Sequence, residues 1–292
     1  MRRRQFLGAT LGAATPTLAA EPKTILVVAA DARWLECCAG LVARHLAAGL
    51  RGLLVRVGDD RLEGWNMPPE EAAWRNRVES EAAARSLGFT EVLSLGYPSG
   101  ELRNVPHTTL RDRLITLIRL HRPAILVIPN PHTEHDRNLD SYYAGAAAED
   151  AWHAARFANY LPALALAPYV IPEIYYYAPP VDPRRLDPEA GPTFVPQPVQ
   201  VDIRPWFAKK LAAARELKTV NRTRAERLRE RLAAAGQRLP LLATVDAAAA
   251  ARLAEENLRG LAALCAQGSS HTLAEEFRYA GVEYGIPAKY LR

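Results

Sequence analysis

Two short polar segments carry the side chains of this chain that are best suited to chemistry. The first, Asp31-Ala32-Arg33-Trp34, directly follows a continuous apolar run, and the second extends from His132 to Asp140. In the second segment His132 and His135 lie three residues apart and Asp136 follows, and imidazoles and carboxylates are common zinc ligands. In the first segment, a carboxylate beside an arginine is most simply an ion pair. Both segments are therefore candidates for a functional site.

The elements around these segments predict an α/β fold, a doubly wound and mostly parallel Rossmann-like sheet with the C-terminal helices packed on it. Such a sheet follows from strands that alternate with helices, because the connections are right-handed βαβ units. Ligands of such sheets bind beyond the carboxyl ends of the strands, so both polar segments should meet in one crevice. The predicted strands are 24–30, 52–57, 91–95 and 124–128, and the predicted helices are 34–50, 69–87 and 110–121.

The second half of the chain mixes strands and helices. No Gly/Ser linker divides it from the first half, so its helices are expected to pack on the sheet and not to form a separate domain. The predicted elements are a helix at 149–159, strands at 173–177 and 199–203, a long charged helix at 206–236 and a helix at 247–267.

The first 20 residues predict export. A basic start is followed by a short apolar run and small residues near Ala20, and Arg3-Arg4-Gln5-Phe6-Leu7 resembles a twin-arginine signal. We expect a periplasmic or extracellular protein with one domain over 21–292. The net charge of +5 includes Arg2, Arg3 and Arg4, so the rest of the chain gives no support to nucleic-acid binding. No later stretch predicts a membrane span, and nothing in the sequence indicates an oligomeric state.

Five segments in the right order resemble the LmbE-like/PIG-L family of zinc-dependent N-deacetylases. The clearest is LGYPSGEL at 95–102, which is similar to the family's LGYPDGEL. The resemblance covers about residues 24 to 278 and implies the family's fold. The other four segments are the helix that ends at 79–88, LIR…RPAILV at 117–127, VDI…KKLAA at 201–213 and AEEFR at 274–278.

The resemblance implies that the family's first zinc motif, AHPDD, falls on residues 30–34. Its zinc-binding His is then Asp31, its general base is Arg33, and its zinc-binding Asp is Trp34. Arginine does not accept a proton near neutral pH, and an indole offers no ligand atom. In the helix that precedes the LGYPSGEL segment, an arginine of the family is likewise replaced, by Asn76.

Two alignments compete for the second motif, DxHPDHxxAG. The gapless alignment, which we favour, begins at Asp136 and sets Asn138, Asp140 and Ser141 at the positions of the first His, the Asp and the zinc-binding His. The other alignment matches 132–135 to HPDH and needs several extra residues before Ala144.

Metal-assisted amide hydrolysis needs a cation, a bound water and a base. In the favoured alignment, the residues that would bind the cation and the residue that would act as the base are all replaced. We therefore expect an exported deacetylase homologue that has lost hydrolysis and binds a sugar-like ligand or a partner, with no cofactor favoured. The alternative is an active N-deacetylase with zinc in a relocated site. Its metal ligands would be Asp31, His132, His135 and Asp136. The ligand-binding candidates are Asp31, Arg33, Trp34, Asn138, Asp140 and Tyr142.

Overall fold

A computed structural model describes residues 22–132, 138–179 and 197–281. Within these residues one sheet is flanked by helices. The strands are β1 (Thr24–Ala29), β2 (Arg51–Gly58), β3 (Glu91–Tyr97), β4 (Ile125–Pro129), β5 (Glu173–Tyr177), β6 (Gln197–Asp202) and β7 (Ala274–Ala280). The α-helices are α1 (Trp34–Ala47), α2 (Pro69–Leu87), α3 (His107–His121), α4 (Leu139–Ala154), α5 (Phe207–Glu216), α6 (Lys218–Ala234) and α7 (Ala247–Cys265).

The strand order is β3-β2-β1-β4-β5-β7-β6, and β1 to β5 pair in parallel. Only β7 runs against its neighbours β5 and β6. The chain moves from β1 to β2 and β3 on one side, and then crosses to β4 on the other side of β1. The carboxyl ends of β1 and β4 therefore flank the point where ligands bind in open α/β sheets. The predicted doubly wound, mostly parallel fold is confirmed.

Two apolar layers cover the sheet. All six residues of β1 are buried, as expected for a central strand that is covered on both faces. One layer joins alternate β1 residues to α1, α2, α5 and the buried faces of α6 and α7. The other layer joins the remaining β1 residues to α3 and α4. The C-terminal helices thus belong to the same core as the sheet.

Two predicted helices are wrong in their bounds. Helix α4 begins ten residues before Glu149, because Asn138 caps it by accepting a bond from the Asp140 backbone N–H. The long helix predicted at 206–236 is two helices, broken at Leu217. At the start of α6, the carboxylate of Glu79 accepts hydrogen bonds from the Thr219 N–H and hydroxyl. It thus provides a partner for a backbone N–H that has none within the new helix.

Among the described residues, no helix combines the length and the apolar composition that crossing a membrane requires.

Candidate functional site

A cavity of about 390 Å³ opens at the carboxyl edge of the sheet. Residues that follow β1, β2 and β3 form three of its walls. The start of α4 and one side chain of α6 complete it. Its lining residues are Asp31, Ala32, Arg33, Asp60, Leu62, Glu63, Ser99, Gly100, Asn138, Asp140 and Arg224.

The Asp31 carboxylate holds Arg33 through two bonds. It accepts the backbone N–H of Arg33 at 2.8 Å and the guanidinium Nε at 2.9 Å. The amide of Asn138 also donates to this carboxylate. The first and second polar segments are therefore joined, as the sequence predicted, although they lie more than a hundred residues apart.

The same Asp-x-Arg arrangement occurs twice more, outside the wall that carries Arg33. Asp59 holds the backbone N–H and the guanidinium of Arg61, and Asp202 holds those of Arg204. Each pair lies at the end of a strand or just after it. The pairing of Asp31 with Arg33 is thus a local motif that the sequence forms without help from distant elements.

What distinguishes Arg33 is its second contact. Its Nη2 donates to the hydroxyl of Ser141 at 2.8 Å, in the first turn of α4. By the resemblance, Asp31 and Ser141 stand at two of the family's zinc-ligand positions. A guanidinium therefore bridges the two side chains that would have to hold the metal. This contact agrees with the gapless alignment of the second motif.

Trp34, at the third ligand position, belongs to the core. It is 2% exposed and packs edge-on against Phe89, with ring centroids 5.6 Å apart. It does not line the cavity, so its position gives no support to the prediction that it contacts a ligand. Tyr142 also lies off the cavity, half exposed and packed against Tyr143. By the resemblance, a core aromatic ring therefore stands where the family has a zinc-binding carboxylate.

Asp140 is buried, and its carboxylate is taken up by backbone donors. It accepts the N–H of Gly100 and, at 3.2 Å, the N–H of Leu102. Gly100 has a φ of +87°, which an L side chain rarely adopts. Asp140 thus fixes the loop after β3 against the start of α4 and shapes the cavity.

Asp60 is a site residue that the sequence reasoning missed. It is 1% exposed, and it accepts the Ala32 N–H and a 2.8 Å bond from Arg56 Nη2. Burial raises the pKa of Asp60 to about 6, partly opposed by Arg56 and assisted by Asp31. Two adjacent carboxylates at the end of a predicted strand were the available signal, because that edge is where ligands bind.

Helix α6 supplies the outer wall. Arg224 lines the cavity and pairs with Glu36 on α1, while Arg227 pairs with Glu63 at 3.0 Å. These pairs tie α6 to the first turn of α1 and to the loop after β2. No sequence pattern indicated them, because each joins elements that are more than 160 residues apart. The buried amide of Asn76 donates to the carbonyls of Asp60 and Glu63 and so supports the same loop.

His132 lies away from the cavity. It is exposed, and its Nε2 contacts both carboxylate oxygens of Glu149 at 3.1 Å; Tyr176 also donates to Glu149. The hydrogen bond to Glu149 raises the pKa of His132. The other ligands of the relocated site, His135 and Asp136, lie outside the described residues. Within the described ranges, no three His, Cys, Asp or Glu side chains are grouped to hold a metal ion.

The residues at the family's zinc positions do not fit zinc. They offer one carboxylate, which already binds Arg33 and Asn138, and one hydroxyl, which accepts from Arg33. A catalytic zinc needs three protein ligands and an open position. A cation between Asp31 and Ser141 would also face the positive charge of the guanidinium, which is permanent near neutral pH.

Comparison with known proteins gives a family and a fold. The model of the PIG-L family, described as GlcNAc-PI de-N-acetylase, matches residues 35–147. No curated protein matches the chain. Among solved structures, N,N'-diacetylchitobiose deacetylase from Pyrococcus horikoshii has a TM-score of 0.68 at 18% identity, over 92% of this chain and 88% of that one.

Two further structures show how varied the proteins of this fold are. 4-Carboxy-2-hydroxymuconate hydratase from Pseudomonas putida KT2440 has a TM-score of 0.55 at 17% identity, covering 88% of this chain and 96% of its own. Teicoplanin deacetylase in a zinc-inhibited form has a TM-score of 0.55 at 11% identity, covering 89% and 98%. The matched segment and the shared fold together confirm the predicted resemblance of this chain to the PIG-L (LmbE-like) family.

Proposed function

We propose that this chain is a PIG-L-family pseudoenzyme, which binds a sugar-like ligand in the Asp31–Asp140 cavity without hydrolysing it. The observation that carries the proposal is the contact of Arg33 with both Asp31 and Ser141. An internal cation takes the place between two positions where the family holds zinc. Binding of zinc there would require the local Asp31–Arg33 pair to break.

Hydrolysis also lacks a base. The family's base position is Arg33, which cannot take a proton from water near neutral pH. Asp60 is the carboxylate of the cavity whose pKa is raised, but both of its oxygens are engaged, by Ala32 N–H and Arg56. It is therefore held as a structural group of the wall.

The lining of the cavity suits a ligand rich in hydroxyl groups. Carboxylate, amide and hydroxyl side chains offer both donors and acceptors, and the half-exposed Leu62 at the rim offers an apolar face. A volume of about 390 Å³ is within the range of small-molecule sites. A fold relative that acts on diacetylchitobiose supports an amino sugar as the first ligand to test.

The first experiment is elemental analysis of the folded protein after incubation with zinc and dialysis, paired with an assay for acetate release from N,N'-diacetylchitobiose. We expect zinc well below one per chain and no acetate. Near-stoichiometric zinc with acetate release would overturn the pseudoenzyme proposal. It would favour the relocated site instead, and His135→Ala would then be expected to abolish the release.

Ligand binding is tested separately by calorimetry with N-acetylglucosamine and N,N'-diacetylchitobiose. Arg224→Gln changes the cavity wall, and Arg229→Gln is its matched control, because Arg229 is on the same helix but pairs with Glu226 away from the cavity. We expect the first variant alone to weaken binding. No heat of binding at millimolar sugar would contradict the sugar-binding part of the proposal.

We further propose that residues 1–20 direct export by the twin-arginine route. The support is the order of the basic start, the apolar run and the small residues. Fusion of this segment to a reporter should place the reporter outside the cytoplasm, and Arg3→Lys with Arg4→Lys should retain it. Unchanged export of the double variant would contradict this route.

A further inference from the structure

A second cavity, of about 430 Å³, lies between α2, the end of α5 and the starts of α6 and α7. It shares no lining residue with the Asp31–Asp140 cavity. Its lining carries more positive than negative charge, with four cationic side chains and two carboxylates. The cations are Arg75, Arg215, Lys218 and Arg222, and the carboxylates are Glu79 and Asp246.

Both carboxylates are committed to helix ends. Glu79 accepts the N–H and the hydroxyl of Thr219 at the start of α6, at 2.7 and 2.8 Å. Asp246 caps α7 by accepting the Ala249 N–H at 2.8 Å. Neither carboxylate forms an ion pair with a cation of the cavity among the described residues. The positive charge of the lining is thus not cancelled inside the cavity.

Two of the cations have partners outside the lining, since Arg75 pairs with Glu71 and Arg215 with Glu255. The other two, Lys218 and Arg222, have no ion-pair or hydrogen-bond partner in the part of the chain that the structure describes. They are four residues apart, on one face of α6, so their side chains are neighbours.

This placement works against stability. Lys218 is the first residue of α6, where the helix dipole favours negative charge, and Arg222 is in the next turn. The first turn of α6 contains no acidic residue. Like charges four residues apart repel as well. A dianion bound in the cavity would supply the negatively charged partner that these two cations lack.

Part of the remaining wall is apolar, and this part includes Trp65, Met67 and Val245. A phosphate group would satisfy Lys218 as a point charge and Arg222 through two parallel N–H bonds. We propose that this cavity binds a phosphate monoester, with the phosphate between Lys218 and Arg222 and the organic group against the Trp65 wall. The site is independent of the pseudoenzyme proposal, because it lies in a different cavity.

The test is calorimetry on the purified protein at low ionic strength, with inorganic phosphate and phenyl phosphate as probes. We expect both to bind, and phenyl phosphate to bind several-fold more tightly because of the apolar wall. Lys218→Ala with Arg222→Ala should weaken phenyl phosphate binding by about tenfold or more. The matched control is Arg238→Ala with Arg252→Ala, which removes the same charge from two exposed residues outside the cavity.

The outcomes distinguish a specific phosphate site from nonspecific attraction of anions to a positively charged protein. Loss of binding in the first double variant and retention in the control would support the proposal. Equal loss in both would overturn it, since net charge alone would then explain binding. No binding of either probe at millimolar concentration, or phenyl phosphate no tighter than inorganic phosphate, would overturn it too. Thermal unfolding of the first double variant should be no lower than that of the wild type, because the removed cations oppose the helix dipole.

Discussion

Arg33 Nη2 donates to Ser141 Oγ at 2.8 Å, and this bond joins the loop after β1 to the first turn of α4 across 108 residues of sequence. Asp31 holds the same guanidinium within its own loop. The bond to Ser141 attaches the Asp31–Arg33 pair to the first turn of α4. Its strength decides how firmly the cation is kept between the former ligand positions.

A double-mutant cycle of Arg33→Gln and Ser141→Ala should measure that bond. We expect a coupling free energy of about 1 kcal/mol, which is typical of a hydrogen bond to a charged or partly buried group. The measurement is urea unfolding of the four proteins. Arg61→Gln, combined with Ser141→Ala, is the control, because Arg61 is held in the same way by Asp59 but has no bond to Ser141. A coupling near zero for Arg33 would show that the two groups do not interact in solution.

Restoring the family residues should restore zinc binding. The variant Asp31→His, Arg33→Asp, Trp34→Asp, Ser141→His replaces the guanidinium with ligands and a base, and we expect zinc to rise toward one per chain by elemental analysis. Because Asp at position 34 enters the core, a second variant keeps Trp34 and changes only the other three positions. Arg61→Asp is the control for charge. If neither variant gained zinc although both folded, the loss of metal would not be due to these four positions.

The buried Arg56–Asp60 pair should make stability depend on pH in an identifiable direction. The folded pKa of Asp60, about 6, is above its ordinary value of 3.8, so this group's contribution is full below about pH 4 and is lost as pH rises through 6. The loss is on the order of 3 kcal/mol. Asp60→Asn does not titrate, so the stability difference between wild type and variant should fall as pH rises from 4 to 7.

Near pH 4 Asp60 is mostly protonated, so the same variant exchanges one neutral partner of Arg56 for another and should cost about 1 kcal/mol or less there. Arg56→Met with Asp60→Asn removes both members of the pair, so its stability should not follow this titration either. A stability difference that is constant from pH 4 to 7 would contradict the raised pKa.

Gly145→Ala should destabilise the protein. A Cβ at this position would lie 2.4 Å from the Pro129 carbonyl oxygen, where α4 approaches the end of β4. We expect a loss of about 2 kcal/mol, since the helix would have to move off the strand. Gly260→Ala, on α7 with open space around it, is the control and should stabilise by up to about 1 kcal/mol. Similar thermal unfolding shifts for both variants would contradict the close approach.

The sequence predicted the fold and one half of the site well. Alternating strands and helices place Asp31 and Asn138 at one edge by a general rule of parallel sheets, and the two residues do meet there. That the first zinc motif of the family is changed at Asp31, Arg33 and Trp34 is implied by the resemblance and stays a prediction. Trp34 was a ligand-binding candidate but is buried in the core, and the sequence did not predict this because the side chains that surround a residue cannot be read from its neighbours in sequence.

The other half of the site depends on tertiary contacts. Arg224 reaches the cavity only because α6 starts again after Leu217, and that break depends on Glu79 from a distant helix. Asp60 faces inward because its backbone adopts a φ of +57°, a conformation that hydrophobic patterning does not indicate. Such features follow from packing and not from local periodicity.

The buried carboxylate of Glu275, near the start of β7, accepts the backbone N–H groups of Gly40 and Leu41 within α1, and Lys210 pairs with it at 2.7 Å. Lys210 also donates to the carbonyl of Glu36, so the first turn of α1 is supported from the far end of the chain. The bonds that reach α1 span 174 to 235 residues. During synthesis these bonds to α1 therefore cannot form until nearly the whole polypeptide has been made, because Glu275 lies near the end of the chain.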